Sequence, residues 1–465
     1  MKDAPSEISA SLFRAYDIRG VVGDTLTADA VHAIARAFAA EAAARDQYRV
    51  VIARDGRLSG PELSAALREG LIAGGMEVLD IGPAPTPVLY FATVALETGT
   101  GIVLTGSHNP PDYNGMKMMI AGDTLSGDAI QALYQRIVSG DLAQGNGSAR
   151  DVDDFATTYL RRIFDDVKLA RPLRIAIDCG NGISGALAPS LYEGLGCEVH
   201  SLFDEVDGRF PNHHPDPSNP ANLQELIKTV RAKDLDVGLA FDGDGDRLGV
   251  VDSEGHIIWA DRQMILFARA VLAQHPGARI IYDVKCSSHL TAAIAAAGGD
   301  GEMWKTGHSF IKGRMRERDA MLGGEMSGHI FFRDRWPGFD DGLYAGARLL
   351  ELLAADARNS QEVFAELPDS VNTPELTVPF AQDGAHFDFM RRFAESARFD
   401  DARSVLRIDG LRVDYVDGWG LARPSNTTPM IVTRFEANNE AALARIQNAF
   451  REQILAVDPD LELPF

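Results

Sequence analysis

Three short apolar runs ending in aspartate punctuate the first three-quarters of the chain, and each leads into a stretch of helical periodicity that stops at glycine. Residues 49–55, 173–178 and 279–283 read as buried strands closed by Asp55, Asp178 and Asp283. The helical stretches stop at Gly74 and Gly75, at Gly194 and Gly196, and at Gly298 and Gly299, where a glycine C-terminal cap is expected. A further strand follows each. The three aspartates lie about a hundred residues apart, a domain-sized rather than a solenoid period. Each unit then shows a later apolar strand and a distinctive loop. These are residues 101–104 before Thr105-Gly-Ser107-His108-Asn109-Pro110, residues 237–241 before Asp242-Gly-Asp244-Gly-Asp246, and residues 320–322 before Gly323-Gly-Glu325-Met-Ser327-Gly-His329. Ligand sites in open α/β sheets gather beyond strand ends, so the three loops are expected to face one crevice.

The pattern changes toward the end. A Gly/Asp/Asn-rich linker over 139–148 precedes an amphipathic helix with Phe155, Tyr159, Ile163 and Val167 on one side. A second boundary falls near 253–259. A third is marked by prolines over 368–379. Beyond it come a helix (387–397), strands (405–415 and 430–436) and a last helix (439–457). The expected fold is three topologically related mixed-sheet α/β domains, 1–148, 149–255 and 256–368, plus a C-terminal α+β domain, 369–465.

Composition narrows the function. At 465 residues the chain is too long for a single core, and 45% hydrophobic residues suffice for several. No run approaches a membrane span, and residues 1–11 hold no apolar signal core. Cys179, Cys197 and Cys286 show neither metal-ligand nor disulfide spacing, which suits a reducing cytoplasm. A net charge of -22 argues against nucleic acid and acidic membranes as partners. An anionic substrate would therefore need a local cluster of cations.

Asp242, Asp244 and Asp246 crowd three like charges onto five residues, and a hard divalent cation would relieve their repulsion. Strand flanks and Arg247 in place of glycine exclude a calcium EF-hand; a solvated acidic turn is the plain alternative. Ser107 lies on a glycine-led turn whose spacing is not Gly-x-Ser-x-Gly, so a serine beside a metal loop points to phosphoryl rather than acyl chemistry. A turn-capping serine is the alternative. His108 can orient it or bind phosphate. Lys117 is a candidate proton carrier if neighbouring cations lower its pKa. Glu325, Ser327 and His329 alternate, and an extended backbone would aim all three one way, as a row for sugar hydroxyls. Arg423, Ser425, Asn426 and Thr427 form a phosphate grip, or else an ordinary polar loop. Arg19 could reach a transferred phosphoryl, and Lys285, Lys305 and His308 add positive charge.

With these four loops in this order, the chain resembles the α-D-phosphohexomutase superfamily over essentially its whole length, most closely its bacterial phosphomannomutase/phosphoglucomutase branch. The resemblance implies four domains around a central cleft and a phosphorylated Ser107. It implies one Mg2+ held by Asp242, Asp244, Asp246 and a phosphoryl oxygen on Ser107. Glu325 and Ser327 would hold sugar hydroxyls, and Arg423, Ser425, Asn426 and Thr427 the distal phosphate. Arg247 and Arg19 would neutralise the transferred group, with Tyr16, Lys285, His308 and His329 completing the substrate surface. The implied reaction interconverts hexose 1-phosphate and hexose 6-phosphate, of mannose, glucose or both, through hexose 1,6-bisphosphate. A phosphoglucosamine mutase, a metal-dependent phosphomonoesterase and a calcium-binding module are the rivals. A cytoplasmic monomer acting on a small phosphosugar is expected, with a hinge at 368–379. Pro424 departs from the alanine expected there and removes one backbone N–H.

Overall fold

The computed structural model describes residues 8–382, 384–426 and 428–465, which form four sheets. In the first, Arg49–Arg54 lies between the parallel strands Glu77–Pro83 and Gly101–Leu104; Tyr113–Ile120 then returns antiparallel beside Gly101–Leu104. The second repeats this order with Arg174–Asp178 between Glu198–Leu202 and Val237–Phe241, and Leu248–Asp252 returning. The third uses Arg279–Asp283, Asp300–Trp304, Leu322–Gly324 and Ile330–Phe332 in the same places. Ile18–Val21 and Ser148–Asp151 extend the first sheet at its edges, and Ile257–Ile258 extends the second. The repeat read from the strand–Asp, helix–Gly pattern is therefore present as one topology used three times. In each copy the loop between the third strand and the antiparallel fourth carries the distinctive residues.

The central strands are apolar without alternation because helices cover both faces: Val50 to Ala53, Ile175 to Ile177 and Ile280 to Tyr282 are all buried. Helix Thr86–Ala95 is apolar nearly all round, and the reason is its position between units. Its Phe91 stacks on Trp336 and meets Phe155 and Tyr159 edge-on or tilted, while Tyr90 packs on Phe339. The expected amphipathic helix is Phe155–Asp166, and Phe155, Tyr159, Ile163 and Val167 are buried as predicted. The N-terminal end of Thr86–Ala95 is thereby fixed against the second unit, where Thr86 touches the acidic loop.

The last sheet is antiparallel, with helices Ala385–Ser396 and Glu440–Val457 packed through Phe389, Phe393, Phe435 and Phe450. Three expectations change here. The single strand over 405–415 is a hairpin, Ser404–Leu406 and Leu411–Asp414, turning at Gly410 with φ +73°. Gly418–Pro424 is a strand, so the polar loop is the tip of its hairpin with Met430–Ala437. Half of the proposed hinge is sheet, since Val371–Asn372 and Leu376–Pro379 both pair with Met430–Ala437. This domain docks on the third unit through buried Arg412. Its Nη1 donates to the carbonyls of Val284 (2.7 Å) and Cys286 (2.8 Å) while its guanidinium lies 3.8 Å over Trp419. Among the described residues no helix is long and apolar enough to cross a membrane.

Candidate active site

Ser107 stands where the first unit meets the second. Its backbone is left-handed, φ +47°, a conformation rare outside glycine, and its amide donates to Thr105 Oγ1 at 2.8 Å. The buried hydroxyl donates to Asp242 Oδ2 at 2.9 Å, joining two residues 135 positions apart. The acidic loop is tightly turned: the amides of Asp246 (3.1 Å) and Arg247 (3.2 Å) both donate to Asp242 Oδ1, and Gly245 takes φ +78°. All three carboxylates are fully buried, with one oxygen from each lying within 4.8 Å of the others. Asp244 Oδ1 and Asp246 Oδ1 have no hydrogen-bond partner. Buried orphan carboxylate oxygens, all hard donors, fit a hard divalent cation.

Lys117 corrects the expectation made for it. It projects from Tyr113–Ile120 into the acidic loop and donates to Asp244 Oδ2 (2.7 Å) and Asp246 Oδ2 (2.5 Å). Burial disfavours its charge, but Asp244, Asp246 and Asp242 outweigh burial and raise its pKa above the usual lysine value. The neighbours are anions rather than cations, so the shift runs opposite to the one expected. Burial and Asp244 raise Asp242, whereas Lys117 holds Asp244 below its usual value despite burial. Thr86 adds a further bond, its hydroxyl donating to Asp244 Oδ2 at 2.5 Å.

Two arginines flank the serine. Arg19 pairs with Asp17 and donates to the Gly106 carbonyl and to Asn109 Oδ1 (2.7 Å). Arg247 lies 3.8 Å from Asp242 and 3.9 Å from Asp216, and its Nε donates to His329 Nε2 at 3.0 Å. His108 faces Asp216 at 3.4 Å. Removal from bulk water, helped by Arg247, lowers its pKa to about 4 against the pull of Asp216. The pattern reading missed Asp216; the one signal was its place between Pro215 and Pro217 in a polar run.

The third loop is a turn, which corrects the extended row. Gly328 N donates to Glu325 O (3.0 Å) and Glu325 N to His329 O (2.9 Å), with Gly328 at φ +101°. Glu325 and His329 consequently take different partners. Glu325 accepts from the Gly307 amide at 2.5 Å, and burial lifts its pKa to about 7. Ser327 is half-buried. His329 turns toward Asp340 (3.1 Å) and Asp246 (3.4 Å), and its ring stacks 5.6 Å from that of His308. His308 is buried, and Tyr16 meets it edge-on at 5.4 Å. Asp340 also accepts from Lys312 at 2.7 Å. Neither Asp340 nor Lys312 carried a sequence signal beyond charge.

In the last domain Arg423 ends a strand, and its Nε donates to Asp409 Oδ2 at 2.9 Å; the same oxygen accepts from Thr306 N at 3.1 Å. Ser425 caps the hairpin tip, its amide donating to Met430 O (2.9 Å) and its hydroxyl accepting from Thr428 N (3.2 Å). Asn426 is half-buried beside it, and Thr427 lies outside the described residues. Lys285 pairs with Glu375 at 2.6 Å, across the boundary between the third unit and the last domain. Six buried or half-buried cations, Arg19, Lys117, Arg247, Lys285, Lys312 and Arg423, thus gather in a chain of net charge -22. Each is paired with a carboxylate: Arg19 with Asp17, Lys117 with Asp244 and Asp246, Arg247 with Asp242 and Asp216, Lys285 with Glu375, Lys312 with Asp340 and Arg423 with Asp409.

Sequence comparisons identify the arrangement. Profiles described as phosphoglucomutase/phosphomannomutase alpha/beta/alpha domains I, II and III match residues 10–144, 156–255 and 259–371, and the C-terminal domain profile of the same family matches 380–453. The chain is 53% identical over 458 residues to a phosphomannomutase/phosphoglucomutase of Pseudomonas aeruginosa, covering 98% of each. It is 52% identical over 462 residues to a phosphoglucomutase of Neisseria gonorrhoeae, covering 99% of this chain and 100% of the relative. The crystal structure of a phosphoglucomutase/phosphomannomutase family protein from Burkholderia thailandensis superposes with a TM-score of 0.94 at 53% identity, over 99% of this chain and 100% of that one. The chain belongs to the phosphoglucomutase/phosphomannomutase family and is a phosphohexomutase.

Proposed function

We propose that Ser107 carries the phosphoryl group in transit and that hexose 1-phosphate and hexose 6-phosphate, of mannose, glucose or both, interconvert through hexose 1,6-bisphosphate. The observation that carries this reading is the bond from Ser107 Oγ to Asp242, which puts a nucleophile against a three-carboxylate loop. In the forward half the bond between Ser107 Oγ and phosphorus breaks as one from phosphorus to a substrate hydroxyl forms, the proton that hydroxyl loses being matched by the one Ser107 Oγ takes up. The bisphosphate then turns about and returns its other phosphoryl to Ser107. Positioning and charge neutralisation supply most of the catalysis.

Asp242, Asp244 and Asp246, with an oxygen of phosphorylated Ser107, would hold one Mg2+. Bound there, the cation would offset the charge that a phosphoserine, about -1.5 to -2, adds beside three carboxylates. Arg19 and Arg247 neutralise the moving group from either side, and His108, held neutral, donates to it or orients it. Lys117 is a fixed counter-charge to Asp244 and Asp246 rather than a proton carrier. Glu325 and Ser327 take sugar hydroxyls, with Tyr16, His308 and His329 as the wall beside them. Arg423, Ser425, Asn426 and Thr427 grip the distal phosphate, and Lys285 lends it charge.

In this division residues 1–148 bear the phosphoserine, 149–255 the metal loop, 256–368 the sugar loop and 369–465 the phosphate grip. One chain carries all four loops, so the proposed site needs no second copy, and a monomer is the proposed state. Buried, unpaired Cys179, Cys197 and Cys286 fit the cytoplasm. The test is an isomerisation assay with hexose 1,6-bisphosphate added in catalytic amount. Stimulation without net phosphate release is expected. Stoichiometric release of phosphate would assign a phosphomonoesterase instead.

A further inference from the structure

The serine loop rests on a buried cation that the reaction scheme above does not use. Arg57 follows the strand Arg49–Arg54 by three residues, and its side chain has no exposed surface. A guanidinium has five N–H donors, and here each has an acceptor. Nη2 donates to Ser107 O (2.8 Å) and Asn109 O (2.6 Å), and Nη1 to Pro110 O (2.5 Å) and Tyr113 O (2.8 Å). Nε donates to Asp55 Oδ2 at 3.2 Å. Asp55 in turn accepts from Thr105 Oγ1 (2.9 Å) and Gly106 N (3.1 Å). Asp55 and Arg57 together therefore hold the loop from 105 to 113 at both ends and in the middle.

Desolvating a guanidinium is costly unless every donor is matched, so the side chain and the carbonyls constrain one another. Ser107 is the residue that needs such constraint. Its left-handed φ costs energy in a non-glycine residue and persists only where the surroundings over-determine it. The Ser107 carbonyl is one of the four that Arg57 engages. The second unit closes the cage, with the ring of Phe210 5.2 Å from the guanidinium carbon. Packing on the loop side is equally tight, since a Cβ on Gly106 would overlap the Arg57 guanidinium.

We propose that Arg57 is a positioning residue for phosphoryl transfer: its guanidinium sets the turn at Ser107, and so the direction of Oγ. The proposal rests on the reading that Ser107 is the phosphoryl carrier. Lysine cannot substitute, because three donors on one nitrogen cannot reach four carbonyls spread around a planar fork. The substrate's hydroxyls and distal phosphate are held by other loops, so their binding is independent of Arg57.

The test compares the full-length wild type with Arg57→Lys and Gly106→Ala. The second variant crowds the guanidinium without removing it, and decides the matter if the first fails to fold. Thermal melting establishes folding, titration with glucose 1-phosphate gives affinity, and intact mass follows phosphoryl uptake by Ser107 from glucose 1,6-bisphosphate. Both kcat and the uptake rate should fall about 100-fold, the scale of a misplacement near 1 Å, while the dissociation constant stays within about twofold. A role in stability alone predicts a lower melting midpoint with normal uptake by the folded fraction. Folded variants that take up the phosphoryl group at the wild-type rate would overturn the positioning role and leave the carrier reading standing. No uptake on Ser107 of the wild type would sink both.

Discussion

The serine loop and the acidic loop occupy the same place in two copies of one topology, yet they are built in opposite ways. The serine loop is held by side chains: Asp55 and Arg57 reach into it from the neighbouring strand end, and Arg19 from the sheet edge. The acidic loop is held largely through its backbone. The carbonyls of Gly243, Asp244 and Gly245 accept from the amides of Ile183 (3.1 Å), Thr86 (2.9 Å) and Gly342 (3.1 Å). Asp178, which corresponds to Asp55, turns away to Gly180 N and His213. The difference follows from what each loop presents. Apart from Asp242 Oδ1, which takes the Asp246 and Arg247 amides, the acidic loop leaves carboxylate oxygens free for a cation and takes its support from neighbouring backbone. A loop offering one hydroxyl can be fixed by side chains from every direction.

Substitutions can break this division of labour. The largest effect is expected for Ser107→Ala, with turnover down by at least about 10⁴-fold, the scale of losing a covalent nucleophile. Its Mg2+ affinity in the unphosphorylated protein should change little, as read by calorimetric titration, because three carboxylates remain. Asp244→Asn should reverse the emphasis, weakening Mg2+ binding in the same titration and lowering turnover by about 10² to 10³-fold. Lys117→Met leaves the carboxylates without their counter-charge. Loss of about 3 kcal/mol is expected from chemical denaturation without metal, and saturating Mg2+ should restore part of it. Full restoration of turnover as well would confine Lys117 to charge balance.

Smaller effects are expected at residues that do not bond Ser107. Arg423→Lys keeps the charge of the distal grip and loses the planar fork. KM should rise about tenfold, with kcat changed less, in a steady-state assay. His108→Gln tests pH dependence. The folded ring titrates at about 4 and the free ring at about 6.5, so between those values the unfolded chain binds the additional proton. Wild-type stability should therefore fall as pH drops from about 6.5 to 4, and the glutamine variant should flatten that fall. An unchanged slope would assign it to other groups.

The repeated topology was legible because strand-ending aspartates and helix-ending glycines are local signals tied to the backbone. The split of the 405–415 strand, read as one strand, had a signal that went unused, since Asp409-Gly410 is a hairpin-turn pair lying inside the apolar run. Gly328 marked the turn after Glu325 in the same way. Local sequence cannot specify which loops face one another. Lys117 looked like a base among cations only because the distance from Tyr113–Ile120 to the acidic loop is set by the fold. Asp216 meets His108 across two units, while Asp340, Lys312 and Arg57 meet partners distant in sequence within their own units, and each is an ordinary charged residue among its immediate neighbours in sequence.

The proposed reaction depends on one covalent bond, between phosphorus and Ser107 Oγ. Intact-mass analysis of the protein after incubation with glucose 1,6-bisphosphate and Mg2+ tests it directly. The predicted result is a gain of one phosphoryl group per chain, mapped to Ser107 by peptide fragmentation, absent in Ser107→Ala and removed by excess glucose 1-phosphate. An enzyme that turns over at full rate while never carrying that mass, or that retains it in Ser107→Ala, would contradict the account.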